Sequence, residues 1–201
     1  MFINSIISSF IELIITHPID YYKNLHQNNI TKPFHIIKKN PFLGIKPKLY
    51  GMIPMRIVFW NTLYILENKK TNPFIIPIIT ATTQTIIDYP LEQIKFNTIF
   101  NSKPTNIYKA ISTHYIRNII FSYNFFFFTH ININPWIGGA LGGIFGSITS
   151  QPFDSLKTYY QSGNFQTPKW NTTQYFKGTL PRTFICLISS CVGNGVIKFL
   201  S

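Results

Sequence analysis

The sequence predicts an all-α membrane protein built from three helix–loop–helix units, six transmembrane helices in all. Three observations lead there: an apolar, weakly charged composition, a short motif that recurs three times, and lysines gathered on one side of the apolar runs. Of the 201 residues, 45% are hydrophobic and 12% charged, against about 25% charged in an ordinary soluble domain. The formal net charge is +12. A nucleic-acid-binding chain would cluster its Lys and Arg on one face. Here they are spread between long apolar runs such as "VFWNTLYIL" and "NIIFSYNFFFF", which excludes nucleic acid as a partner and favours a membrane protein with basic loops.

The motif is proline, an acid two residues on and a lysine three further on. "HPIDYYKNLHQ" carries Pro18, Asp20, Lys23 and Gln27; "YPLEQIKFNTI" carries Pro90, Glu92 and Lys95; "QPFDSLKTYYQ" carries Pro152, Asp154, Lys157 and Gln161. The copies are nearly evenly spaced, and each closes an apolar run. Downstream of each comes a second echo: Tyr50-Gly51 with Pro54 and Arg56, Tyr108-Lys109 with Arg117, and Phe176-Lys177-Gly178 with Pro181 and Arg182. Residues 1–201 therefore form one domain of three repeats, approximately 1–70, 71–132 and 133–201. The predicted helices cover 3–26, 52–68, 74–99, 110–129, 136–161 and 179–200, and runs of about 17–25 mainly apolar residues are long enough to span a bilayer. Twelve lysines fall on the loop side of the repeats and only Lys69, Lys70 and Lys198 on the other, the asymmetry expected of loops retained on the more negative side of a membrane.

Proline lacks an amide donor and clashes with the preceding turn, so Pro18, Pro90 and Pro152 are expected to kink their helices. Ionisable residues within a membrane are costly unless paired or wet, so the three acids and three lysines need partners. Three apart on one helix, they can pair locally; alternatively they anchor the helix ends at the interface. In the fifth predicted helix, Gly138, Gly142 and Gly146 recur every four residues, as do Gly139 and Gly143, a small-residue stripe suited to close helix packing.

The tripled P-x-[D/E]-x-x-[K/R], with its following glutamine and aromatic-basic-glycine step, resembles the signature of the mitochondrial carrier family over nearly the whole chain. The resemblance implies a pseudo-threefold barrel of the six helices in the mitochondrial inner membrane, with both termini facing the intermembrane space. It implies a matrix gate of pairs between helices: Asp20 with Lys95, Glu92 with Lys157, and Asp154 with Lys23, braced by Gln27 and Gln161. It places substrate contacts at Val58, Arg117 and Ile185, of which only Arg117, followed by Asn118, is polar; an arginine holds a carboxylate or phosphate bidentately. Arg56 and Arg182 lie nearer the matrix ends and serve substrate, lipid headgroups or loop carbonyls. Glu12 precedes Pro18 by six, a place taken by Gln84 and Gly146 in the other units; Glu12 serves selection, proton coupling or local pairing. Asp88 reads as a local hydrogen-bonding residue. The intact step at Lys177 and Gly178 implies a membrane lipid, cardiolipin in the family.

The chain departs from the family's pattern in its short loops, although "FHIIKKNPFLGIKPKLYG" keeps a trace of the short helix of the first unit. Its outer gate is reduced to Glu67 and Lys70. Together the features imply a monomeric transporter of a small anionic metabolite (carboxylate, nucleotide or phosphate) working by alternating access; the alternative is a degenerate carrier-like protein acting as a non-transporting membrane adaptor. No cofactor or metal is expected: Cys186 and Cys191 lack further ligands at metal spacing. An enzyme is not expected either, because no histidine lies beside a plausible nucleophile. The N-terminus shows neither a basic leader nor a small-residue cleavage site, so no removable signal is expected.

Overall fold

The structure is a computed structural model and describes residues 13–14, 16–25, 33–43, 45–100, 107–162, 168–169 and 171–200. The described residues are helices joined by turns. Helix α1 is seen at 16–25, followed by α2 (Pro33–Lys39), α3 (Ile45–Asn68), α4 (Ile76–Phe100), α5 (Ile107–His130), α6 (Pro135–Gln161), α7 (Thr172–Tyr175) and α8 (Thr179–Leu200).

Local chemistry sets several of these boundaries. At the start of α6 the Asn134 side chain accepts from the Trp136 amide at 2.9 Å, and Pro135 follows at the first helical position, where its missing donor costs nothing. The helix ends at Ser162, whose amide returns to the Thr158 carbonyl at 3.1 Å. Before α7 the Asn171 amide donates to Gln174 Oε1 at 3.0 Å, satisfying one amide at the helix start. Gly178 has φ 82°, a conformation glycine adopts without penalty, and so turns the chain from α7 into α8.

Helix α3 begins at Ile45 rather than at 52, taking the Tyr50-Gly51 step into the helix. Pro47 falls in its first turn, where proline is tolerated, so it does not delay the start. Helices α4 and α6 run on through Pro90 and Pro152, and Pro18 lies within α1. The short helices α2 and α7 occupy the segments between the long ones; α2 overlaps the start of "FHIIKKNPFLGIKPKLYG", where the sequence keeps a trace of a helix.

One expectation is overturned. Among the described residues no helix is both long and apolar enough to cross a membrane, so the six-span membrane barrel is not supported and the fold is all-helical without an identifiable crossing. The physical reason lies in what interrupts each apolar run. Helix α4 carries Thr80, Thr85, Asp88 and Glu92, and α6 carries Ser147, Ser150, Gln151, Asp154 and Lys157, which lower the mean apolarity of segments that are otherwise long enough.

Helix α6 packs between α5 and α8, and α4 packs between α3 and α5. The glycines of α6 divide by face. Gly142 and Gly146 lie against Phe125 and Phe121 of α5, and a methyl added at Gly146 would come within 2.9 Å of the Phe121 ring. Gly139 and Gly143 face α8, where an added methyl would overlap the Ser190 carbonyl and stand 2.5 Å from that of Cys186. Apolar packing concentrates where Phe59, Trp60 and Leu63 of α3 meet Ile76 of α4 and Phe125 of α5. A smaller group, Tyr89, Ala110 and Tyr160, closes the other end of α4, α5 and α6.

Because backbone carbonyls cannot swing aside as a side chain does, Gly139→Ala should force α6 and α8 apart. Overpacking of this kind costs about 1–3 kcal/mol, so thermal unfolding should show a midpoint lowered by several degrees. An unchanged midpoint would mean that the two helices do not pack through this face.

Candidate functional site

The interior holds more polar and charged side chains than hydrophobic ones among the described residues, and the charged ones converge on one place. Helical spacing brings them there. Asp88 and Glu92 are four apart on α4; His114, Arg117 and Asn118 are three and four apart on α5; Ser150, Gln151, Asp154 and Lys157 share a face of α6. Lys23 enters from α1 and Arg182 from α8.

Asp154 is the hub, with an exposure of 0%. Its Oδ2 lies 2.6 Å from Lys23 Nζ and 4.0 Å from Arg182 Nε. Its Oδ1 accepts from Arg117 Nη1 at 3.1 Å and lies 3.7 Å from Lys157 Nζ. Lys157 also forms an ion pair with Glu92. Of the pairs implied by the resemblance, Asp154 with Lys23 and Glu92 with Lys157 are thus in contact. Asp20 stands one turn before Lys23 on α1, while the Lys95 side chain lies outside the described residues, as do Glu12 and Gln27. Gln161 is buried, and its Nε2 has no hydrogen-bond partner among the described residues; the same holds for Oε1 of Gln84, one turn before Asp88.

Arg117 is engaged on all sides. Besides Asp154 it donates to Asn118 Oδ1 from Nε at 3.1 Å and from Nη2 at 2.8 Å, and it stands 3.6 Å from Asp88 and 3.8 Å from Glu92. Asn118 in turn donates to Thr85 Oγ1 at 2.9 Å, which fixes the guanidinium against α4. Arg182 donates to the Ser147 carbonyl at 3.1 Å, to Gln151 Oε1 at 3.1 Å and to Ser150 Oγ at 2.6 Å. Gln151 then holds the Lys177 carbonyl at 2.8 Å, tying the loop before Gly178 to the same cluster. Arg56 lies elsewhere, hydrogen-bonded to Ser189 of α8.

Sequence reasoning missed two members. On sequence Asp88 reads as a local hydrogen-bonding residue, yet its carboxylate faces Arg117 and His114. His114, with an exposure of 0%, was given no role. The available signal was the i, i+3, i+4 spacing of His114, Arg117 and Asn118, which puts three polar groups on one face of an apolar helix. Glu67, expected with Lys70 in an outer gate, meets His130 of α5 at 3.2 Å.

Asp88, Glu92 and His114 could each offer a ligand atom to one cation, all within 4.8 Å of one another. The same carboxylates already face Arg117 and Lys157, so a metal ion would enter only by displacing a guanidinium or an ammonium. The donor set fits an internally paired charge cluster better than a metal site.

No protein-family model matches the chain. A mitochondrial carrier-like protein of Acanthamoeba polyphaga mimivirus is 27% identical, the match covering 87% of this chain and 84% of that protein. The similarity points to a carrier-type protein and leaves its substrate open.

Removing one partner from a buried ion pair leaves an uncompensated charge, at a cost of about 3–5 kcal/mol. Asp154→Asn should therefore destabilise the fold by that order, since Lys23 and Arg117 lose their shared carboxylate together. The exposed Glu67–His130 pair provides the control: Glu67→Gln should change stability by less than about 1 kcal/mol. Chemical denaturation of both variants measures the contrast, and equal effects would show that the cluster is not buried as described.

Proposed function

We propose that the chain is a carrier-type protein for a small anionic solute, a carboxylate, nucleotide or phosphate, at the mitochondrial inner membrane. One observation carries the reading: four basic side chains, Lys23, Arg117, Lys157 and Arg182, converge on the enclosed carboxylate of Asp154. Basic side chains gathered out of water attract an anion strongly, because desolvation removes the competing solvent. Arg117 is the central contact, since its planar donors already hold a carboxylate and would hold a solute's in the same way. Asn118 orients it, and Arg182 and Lys157 supply further charge.

The relative's description supports a membrane location, and so does the distribution of side chains. Leu180 is 85% exposed and Phe74 75%, with Ile86, Phe127 and Phe184 also on the outside, while Gln151 and Asp154 are fully enclosed. A polar inside and an apolar outside suit an apolar surrounding. Association with the membrane then rests on the exterior of the assembled bundle rather than on any one apolar helix. Lys177, on the loop held by Gln151, is the candidate contact for an acidic lipid headgroup such as that of cardiolipin.

In this reading the pairs Lys23–Asp154 and Glu92–Lys157 form part of a gate, completed by Asp20 and Lys95 and braced by Gln27 and Gln161, that opens as solute passes. Solute entry exchanges one carboxylate on Arg117 for another, so the internal network loosens as the ligand binds. A second reading, a non-transporting adaptor, is favoured by the same saturation of Arg117, which leaves the network closed without a ligand.

Uptake by vesicles containing the protein separates the two. Labelled phosphate, a dicarboxylate and a nucleotide should include at least one transported species. Loss of charged hydrogen bonds worth about 1.5–3 kcal/mol should weaken its binding roughly 10- to 100-fold in Arg117→Ala. Glu92→Lys should abolish uptake, and addition of Lys157→Glu should restore part of it. Failure of every solute to enter would leave the adaptor reading; undiminished uptake by Arg117→Ala would displace Arg117 from the site.

A further inference from the structure

His114 presents a buried imidazole to groups of both signs. From α4, Asp88 Oδ2 lies 3.4 Å from Nε2 and Glu92 Oε2 lies 3.2 Å from Nδ1, while the Tyr89 ring meets the imidazole edge-on with centroids 5.7 Å apart. From its own helix, Arg117 Nη2 also lies 3.4 Å from Nε2. From α6, Asp154 and Lys157 act on it through Arg117 and Glu92. Nδ1 is enclosed without an aligned hydrogen-bond partner, although a carboxylate oxygen is beside it.

The two neighbours of Nε2 make opposite demands. A guanidinium can only donate, so it requires a lone pair on Nε2; a carboxylate accepts, so it requires a proton there. One nitrogen cannot meet both at once. With Nε2 bare, the ring accepts from Arg117 and its Nδ1–H faces Glu92. When Nε2 gains a proton while Nδ1 keeps its own toward Glu92, the ring is a cation that donates to Asp88, and it repels Arg117 at the distance where it previously held it.

We propose that Asp88, His114 and Glu92 form a buried proton-binding site whose occupancy at Nε2 decides whether Arg117 is held by the imidazole or released from it. The proton comes from bulk water, and no other bond is made or broken. Its arrival adds one positive charge to the cluster and frees a guanidinium edge, both of which favour an incoming anion. Proton and anion therefore bind together, which deepens the carrier reading by naming a co-ligand; the proton site itself does not depend on that reading. The linkage has a definite sign: anion affinity falls as pH rises and the proton leaves the ring.

The test is nitrogen-15 NMR of the histidine-labelled full chain as the buffer is taken from acid to alkaline pH, with His114→Gln identifying the resonance. His114 should pass from a doubly protonated ring to the Nδ1–H tautomer as pH rises. Asp88→Asn, which removes the carboxylate that stabilises the cation, should move the transition to lower pH; Arg117→Gln, which removes a repelling charge, should move it to higher pH. A ring fixed in one state throughout would overturn the proposal, and so would a transition that neither variant moves. In parallel, phosphate binding should weaken more steeply with rising pH in the native chain than in His114→Gln, whose remaining dependence is that of phosphate's own ionisation. An equally steep pH dependence in the native chain and the variant would sever the proton site from the anion. A titrating ring in a chain that binds no anion from the panel would leave the proton site standing and remove the carrier reading.

Discussion

The carboxylate of Asp154 is the point on which the interior depends. A fully enclosed carboxylate is several kcal/mol worse off than in water unless cations and hydrogen bonds compensate it. Here the compensation comes from Lys23 on α1, Arg117 on α5, Lys157 on its own helix and, at the edge of contact, Arg182 on α8. No single partner suffices, because each of those cations also has to be desolvated. The charge is therefore stable only when several helices arrive together, and the same requirement fixes where they meet.

Arg117 and Arg182 are both arginines in a buried ionic setting, but their surroundings differ. Arg182 is bound by neutral acceptors, a backbone carbonyl, an amide and a hydroxyl, and it reaches Asp154 only at 4.0 Å. Its donors are used to join α8 to α6. Arg117 stands among three carboxylates, none of which satisfies it alone. Interactions with several similar partners are readily traded for one another, while those with shaped neutral acceptors are not. On the proposed function this separates a residue that responds to solute from one that holds the frame.

The close approach of α6 to its neighbours serves the same end. Glycines on two faces bring the backbone of α6 up to Phe121 and Phe125 on one side and to Cys186 and Ser190 on the other. This proximity lets short side chains such as Ser147 and Ser150 reach across the interface; Ser147, for example, meets Thr183 at 3.0 Å. Several large apolar side chains, Leu180 and Phe184 of α8 among them, lie on the outside instead.

What the sequence determined by itself was periodic and local. The helical class, the limits of α6 and α8, and the crowded glycine faces all follow from spacing along one chain. Similar reasoning failed for membrane crossings, because counting apolar runs does not register how far scattered Thr, Ser, Gln and charged residues dilute them. It failed too for His114 and Asp88, whose significance depends on residues of other helices rather than on their own neighbours. Only the tertiary structure decided that Arg117 faces Asp154, Asp88 and His114 at once. Charge interactions act through space and are set by burial, and neither distance across helices nor exclusion of water is written in the order of residues.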